Sequence, residues 1–244
     1  MPRFFLQKSN ISDGIVTIKG DDALHISRSL RMRPGEEITV CDMQKRVYEC
    51  VLEAFTADSV TARIIDEHDS DTEPPVFIKL YQALPKSDKL DTIIQKSIES
   101  GVSEIIPFES ERCVVRVEPS KEEKKLERRN RIALEAAKQC GRGMVPAVRT
   151  PIKFDRIFSD AADCDLKLFF YEGDGTVSLR KVLEEVGKVG RIAIVIGSEG
   201  GFSLDEVRRA SENGFVICGL GKRILRCETA PAFALACIAY RFEL

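Results

Sequence analysis

Three short runs, LKLFFYE (residues 166–172), RIAIVIG (191–197) and FVICGLG (215–221), are apolar at almost every position over the length of a strand. A strand with one wet face alternates polar and apolar residues, whereas a continuous apolar run reads as a strand covered on both faces. Few architectures cover both faces of a sheet, and the main one connects parallel strands through helices. The segments around these runs fit that scheme. VFIKLYQAL (76–84), SEIIPFES (103–110) and CVVRV (113–117) read as further strands. Leu90, Ile93, Ile94 and Ile98 fall on one helical face, with Ser87 as the expected N-cap and Gly101 at the end. KEEKKLERRNRIALEAAKQCG (121–141) reads as a long helix whose mixed Lys and Glu mark a solvated face. An α/β domain with a mostly parallel sheet is therefore expected.

Upstream the pattern differs. GIVTIKG, EEITVCD, RVYECVLEAF and SVTARIID are β-branched runs set off by Gly, Asp or Ser, interrupted by one short helix, DDALHISRSLR (21–31). Several short strands in so little chain suggest a small β-barrel. Between the two patterns lies DEHDSDTEPP (66–75), acidic, polar and closed by two prolines, which reads as a linker. Two domains follow, 1–70 as a β-barrel and 71–244 as the α/β domain.

Bulk properties exclude several classes. The 244 residues carry a formal net charge of -2, so the chain is no histone-like polycation, although a basic face can hide inside a balanced total. No stretch long enough to span a bilayer is free of charge, and MPRFFLQKSN has no apolar core of a signal peptide, so the expected location is the cytoplasm, with no membrane partner. The eight cysteines include no C-x-x-C, and several sit in apolar runs; buried reduced thiols are expected. With only His25 and His68 besides, no metal site is expected.

Two segments carry chemistry. RIAIVIG runs directly into GSEGG (197–201), and Ser203 with Glu206 forms a capping box that starts a helix, with Gly214 suited to its end. Glycines between a strand end and a helix start let backbone N–H groups approach a ligand, at the strand ends where ligands sit in α/β sheets. Glycine content alone would equally describe a tight βα turn. A phosphate cradle is disfavoured because Glu199 would place like charge beside the phosphates. In LGKRILRCETA (220–230), cationic and apolar residues interleave between a buried strand and an apolar helix, and a merely solvated loop would not need Ile224 and Leu225. Pro231 is acceptable in that helix's first turn.

The pairing of GSEGG with LGKRILRCETA resembles the SPOUT superfamily of methyltransferases, specifically the RsmE-type enzymes. RSLRMRPGE (28–36), IIQKSIESGVSEIIPFESERCVV (93–115) and AAKQCGRGMVP (136–146) resemble the same family in the same order, across nearly the whole chain. The resemblance implies a SPOUT-type α/β domain with a deep trefoil knot, a PUA-like N-terminal β-barrel that binds RNA, and a homodimer. Threaded chains are exceptions to the rule on connections, and no periodicity reveals one. It also implies S-adenosylmethionine as cofactor and methylation of uracil N3 in small-subunit (16S) ribosomal RNA, in the decoding region and within the assembled subunit. A SPOUT enzyme acting on another base or on a ribose 2′-hydroxyl is the nearest alternative, and a non-enzymatic ribosome-assembly factor is a second.

By the same resemblance the cofactor sits among three loops, carried by Phe170 and Tyr171, by Gly197, Glu199, Gly200 and Gly201, and by Leu220, Ile224, Leu225 and Thr229. Leu220, Ile224 and Leu225 would wall the adenine, while Thr229 is expected to cap the last helix rather than do chemistry. Glu199 would either face the sulfonium or fix its loop through backbone N–H groups. Arg226 and Glu228 are the catalytic candidates: Arg226 to stabilise or orient the uracil or its phosphate, Glu228 to hold Arg226 or take the N3 proton. The RNA surface is expected at Arg3, Arg28, Arg31 and Arg33 on the barrel, and at Lys86, Lys89 and Arg142, the last flanked by Gly141 and Gly143.

Overall fold

A computed structural model describes residues 1–244. The chain forms two compact units, one of Met1–Glu73 with Ala137–Val145, the other of Pro74–Ala136 with Pro146–Leu244. The short segment Ala137–Val145 thus groups with the first unit, where the sequence pattern had assigned it to the second.

The first unit contains β1 (Arg3–Phe5), β2 (Ile11–Ser12), β3 (Ile15–Lys19), helix α1 (Gly20–Leu24), β4 (Glu37–Cys41), β5 (Arg46–Phe55) and β6 (Ser59–Asp69). Helix α1 runs on through one wider π turn, closed by Leu30 N–H donating to the His25 carbonyl. The strands form one sheet in the order β1-β4-β5-β6-β3-β2, antiparallel except where β1 pairs β4. Edge strands β1 and β2 do not pair with each other, so ladder hydrogen bonds do not close the barrel. Phe4, Val16, Ile18, Ile26, Ile38, Val40 and Leu52 fill it. The acidic segment begins later as a linker than expected. Residues 66–69 belong to β6, paired in register with 46–49 of β5, and Arg46 bridges Glu67 and Asp69, both at 3.0 Å. A cation on the neighbouring strand lets an acidic run stay in the ladder.

The second unit is an eight-stranded sheet in which every pairing is parallel. In chain order it holds β7 (Phe77–Ala83), α2 (Lys89–Glu99), β8 (Glu104–Glu109), α3 (Pro119–Cys140, of which Ala137–Cys140 groups with the first unit), β9 (Ala147–Val148), β10 (Ile152–Lys153), α4 (Arg156–Asp160), β11 (Leu166–Phe170), β12 (Val177–Ser178), α5 (Leu179–Glu185), β13 (Arg191–Ile196), α6 (Leu204–Glu212), β14 (Val216–Gly219) and α7 (Ala230–Phe242). The sheet order is β10-β8-β7-β13-β11-β14-β12, with β9 beside β8. The apolar runs β11 and β13 occupy its middle, and their side chains are almost all buried, as continuous runs require. Phe202, just past GSEGG, packs its ring at a tilt 4.2 Å from Phe169 and parallel to Phe108 at 6.3 Å, which ties that loop to the core.

Three local expectations are corrected. CVVRV is a loop: the Glu109 carboxylate accepts from Val117 N–H at 2.6 Å and takes the place of a ladder partner. The N-cap position of α2 is Asp88, whose side chain makes no capping hydrogen bond, rather than Ser87, whose φ of 56° puts it in the left-handed region. Thr229 does occupy the N-cap position of α7, but its side chain makes no capping hydrogen bond. The Ser203–Glu206 capping box is present in full, and Gly214 follows α6 at φ 81°. No helix is long and apolar enough to cross a membrane.

Candidate active site

The parallel sheet puts the carboxyl ends of β7, β11, β13 and β14 on one edge, and the loops that leave them meet around a cavity of about 370 Å³. That volume lies within the roughly 300–1,000 Å³ of pockets that take a drug-sized ligand. Phe170, Tyr171, Ile196, Leu220 and Leu225 supply apolar wall, and Gly197, Gly201, Gly219 and Gly221 supply bare backbone. At two of these glycines a side chain would have to displace a neighbour. Gly201 has φ 62°, and a Cβ there would lie 2.5 Å from Glu172 Oε1; a Cβ on Gly219 would lie 2.9 Å from Thr176 Oγ1. The hydroxyl of Ser198, also on the wall, is buried without a hydrogen-bond partner. A buried polar atom without a partner costs free energy unless a ligand completes it.

The charges on this edge are arranged around one lysine. Lys89, the first residue of α2, places its ammonium 2.9 Å from Glu199 Oε1 and 3.3 Å from Glu228 Oε2. Glu199 also accepts from the backbone N–H of Lys86, and the Cys227 thiol donates to Glu228 Oε2 at 3.2 Å. Burial works against the charge on Glu199, but hydrogen bonds from Lys89 and from backbone N–H groups hold its carboxyl below the ordinary range. The same balance holds for Glu228, where burial is outweighed by its own backbone N–H, the Cys227 thiol and Lys89. The hydrogen bond to Glu199 raises the Lys89 ammonium. Burial pushes the Cys227 thiol up to about 12, so it stays a neutral donor.

The sequence candidates divide accordingly. Phe170, Tyr171, Gly197, Glu199, Gly201, Leu220, Ile224, Leu225 and Arg226 line the one cavity. Ile224 is 84% exposed at its mouth and is no buried wall. Gly200, Glu228 and Thr229 lie off the cavity lining; a Cβ on Gly200 would meet the Arg112 carbonyl at 2.9 Å, so that glycine serves packing against the loop after β8, while Glu228 reaches the lining only through Lys89 and Cys227. Arg226 is exposed and makes no ion pair, and the partner of Glu228 is Lys89 rather than Arg226. Lys89, expected among phosphate contacts, is instead held by these carboxylates. Its signal was present in the chain: a lysine at the first position of a helix stands at the wrong end of the dipole and calls for another partner.

The comparisons with known proteins agree with this geometry. The profile of an RNA methyltransferase domain matches residues 72–239, and that of an RNA methyltransferase PUA domain matches 18–65. Ribosomal RNA small subunit methyltransferase E of Bacillus subtilis is 36% identical over 251 residues, covering 100% of this chain and 98% of its own. The chain belongs to the ribosomal RNA small subunit methyltransferase E family. A solved structure of methyltransferase E from Neisseria gonorrhoeae bound to S-adenosyl methionine is 34% identical, covers 98% of this chain and 97% of its own, and superposes with a TM-score of 0.87. A Legionella pneumophila protein solved with bound cofactor SAM is 30% identical, with 98% and 96% coverage and a TM-score of 0.86. As a member of the methyltransferase E family, the chain has a PUA-like first unit and a SPOUT-type α/β second unit, consistent with the knotted fold.

The remaining candidates of this methyltransferase E chain lie elsewhere. Arg28, Arg31 and Arg33 are exposed at and beyond the π turn of the first unit. Arg3 is half-buried, and its guanidinium donates to the Arg142 carbonyl and to Cys41 Sγ, both at 3.2 Å. Arg142 is corrected outright as an RNA contact: its side chain is 5% exposed, and it donates from Nε and Nη2 to the two oxygens of Glu73 at 2.9 and 2.7 Å. Glycines on either side let the chain fold inward around it rather than outward. Lys86 is exposed, with its backbone N–H on Glu199.

Proposed function

We propose that this chain transfers a methyl group from S-adenosylmethionine to uracil N3 of a uridine in the decoding region of small-subunit (16S) ribosomal RNA. The observation that carries the reading is the meeting of four strand-end loops in one cavity that has an unpaired guanidinium, Arg226, on its wall and ionised carboxylates beside it. The cavity suits the cofactor: apolar wall for the adenine, bare backbone and the partnerless Ser198 hydroxyl for its polar edges, and the carboxylates of Glu172 and Glu199 for its cationic end. Bound there, the cofactor supplies an electrophilic methyl group, and the protein's part is positioning and electrostatics. Arg226, free of any carboxylate partner, stabilises the negative charge that uracil develops as N3 loses its proton. Glu228, kept ionised, takes that proton.

The exposed Arg28, Arg31 and Arg33 support a role of the first unit in holding the RNA backbone. The exposed Phe233 and Tyr240 on α7 support a homodimer, and the substrate in this reading is the assembled small subunit in the cytoplasm. The test gives the protein labelled cofactor with free ribosomal RNA and with small subunits, followed by mass spectrometry of nucleosides. N3-methyluridine is the expected product; a methylated ribose would overturn the reading. Arg226→Ala and Glu228→Gln should each lower turnover about 100-fold, the scale of one acid–base or electrostatic group, with cofactor affinity retained. Unchanged turnover in both would remove these two residues from the mechanism.

A further inference from the structure

We infer that Lys89 is a positioning residue of the methyl-transfer site, a single ammonium on the cavity wall that ties the loop after β13 to the loop before α7 and holds the Glu228 carboxylate just behind that wall. The inference rests on the proposed function and adds to it a residue that the reaction would need without its touching the uracil.

Three independent observations support it. The first is position. Lys89 opens α2, where the helix dipole disfavours a cation, so the sequence carries a cost at this site that solvent exposure alone would not explain. The second is geometry. Glu199 and Glu228 belong to loops a helix and a strand apart in the chain, and only the Lys89 ammonium reaches both, at 2.9 and 3.3 Å. All three side chains are about a quarter to a third exposed, at 30%, 27% and 24%, so their charges are screened less than those of a surface pair. The third is the backbone that delivers the lysine. Ser87 takes a left-handed conformation, φ 56°, and from there Lys86 presents its N–H, and Lys89 its ammonium, to the same Glu199 carboxylate. Non-glycine residues rarely hold that conformation unless the surroundings impose it, and such strain gathers at functional sites.

The consequence concerns Glu228. The charged and titratable groups that face it are Lys89 from α2, Glu199 from the loop after β13, and Cys227 beside it in its own loop. With the thiol neutral, Lys89 is the only cation among them. Removing it leaves two carboxylates close together with no ion-paired cation, since Arg226 contacts neither, and such a pair resists double ionisation. Glu228 would then bind a proton at higher pH, and a proton acceptor that is already protonated cannot act.

The experiment compares wild type, Lys89→Met and Lys89→Arg by two readouts. The first is the pH titration of the glutamate carboxyl carbons by NMR in the protein without cofactor, with Glu199→Gln and Glu228→Gln assigning the signals. The second is the pH profile of methyl transfer to small subunits. Lys89→Met should move the Glu228 titration, and the acid limb of turnover, upward by about one pH unit or more. It should also lower turnover about tenfold at neutral pH while changing cofactor KM less than turnover. Lys89→Arg should restore the acid limb, which a merely structural role would not predict. Thermal unfolding of each variant separates these effects from loss of fold. A Lys89→Met protein with the wild-type Glu228 titration and the wild-type pH profile overturns the role of Lys89 alone. A wild-type protein that transfers no methyl group overturns the proposed function, and the part of Lys89 in transfer goes with it.

Discussion

Glu73 and Arg142 are nearly as buried as core side chains, and the polar contacts between their segments explain why the pair persists. Two parallel guanidinium bonds satisfy both carboxylate oxygens, and Glu73 Oε1 also accepts from the N–H groups of Gly143 and Met144. Burial opposes the charge on Glu73, yet the Arg142 hydrogen bonds and these N–H groups hold its carboxyl below the usual range. Removing one partner of such a pair strands the other, so Glu73→Gln should cost about 3–5 kcal/mol. The pH dependence has a definite sign. A depressed folded pKa adds stability above the unfolded value near 4.3, and that stability is lost as pH falls through the folded value. Urea unfolding of wild type and Glu73→Gln between pH 7 and pH 3 should therefore converge toward the acid end; curves that stay parallel would show the pair to be without weight. Sequence showed Arg142 to be special through its two flanking glycines, but not which way it points. Its partner lies far upstream, and no local pattern encodes a pairing across that distance.

The same limit appears in the elements, with a clear boundary. Periodicity and turn chemistry predicted β11, β13 and the start of α6, because those depend on neighbours in the chain. CVVRV failed as a strand for the opposite reason: whether an apolar β-branched run joins a ladder depends on a free strand edge, and here the Glu109 carboxylate takes the Val117 N–H instead. Helix α6 shows how a locally legible motif acquires a non-local duty. Glu206, 4% exposed, closes the capping box by accepting from Ser203 N–H at 3.0 Å, and its other oxygen accepts from Glu111 N–H at 2.9 Å in the loop after β8. The two halves of the box should thus differ in weight. Ser203→Ala loses one cap bond and should cost about 1 kcal/mol. Glu206→Ala leaves two N–H groups without acceptors at about 1–3 kcal/mol each, and should cost roughly 2–4 kcal/mol. It should also raise amide exchange at Glu111 and Ser203, while Ser203→Ala leaves Glu111 protected. Equal losses in urea unfolding would mean that the bond to Glu111 contributes nothing.

At the scale of the whole chain, the sequence carried the order and type of the elements but not their threading, since a knot is a property of the path and leaves no period. It carried the loops proposed for the cofactor, and the cavity brings most of their named residues together. It did not carry the choice of uridine, which depends on how RNA lies across surfaces that a net charge of -2 does not describe. The RNA reading can be tested on that point. Arg28, Arg31 and Arg33 are exposed and form no ion pairs within the protein, so they are available for phosphates; Arg142 is not, being spent on Glu73. Each phosphate contact displaces condensed cations, and log affinity falls with log salt by about 0.7–0.9 per contact. The triple substitution Arg28→Ala, Arg31→Ala, Arg33→Ala should therefore flatten the salt dependence of ribosomal RNA binding by about 2–3 in slope. Calorimetry should find S-adenosylmethionine affinity unchanged, because these residues belong to the first unit and the cavity to the second. A slope equal to that of wild type would place the RNA on another face of the protein, and the exposed arginines would then be solvated charges without a partner.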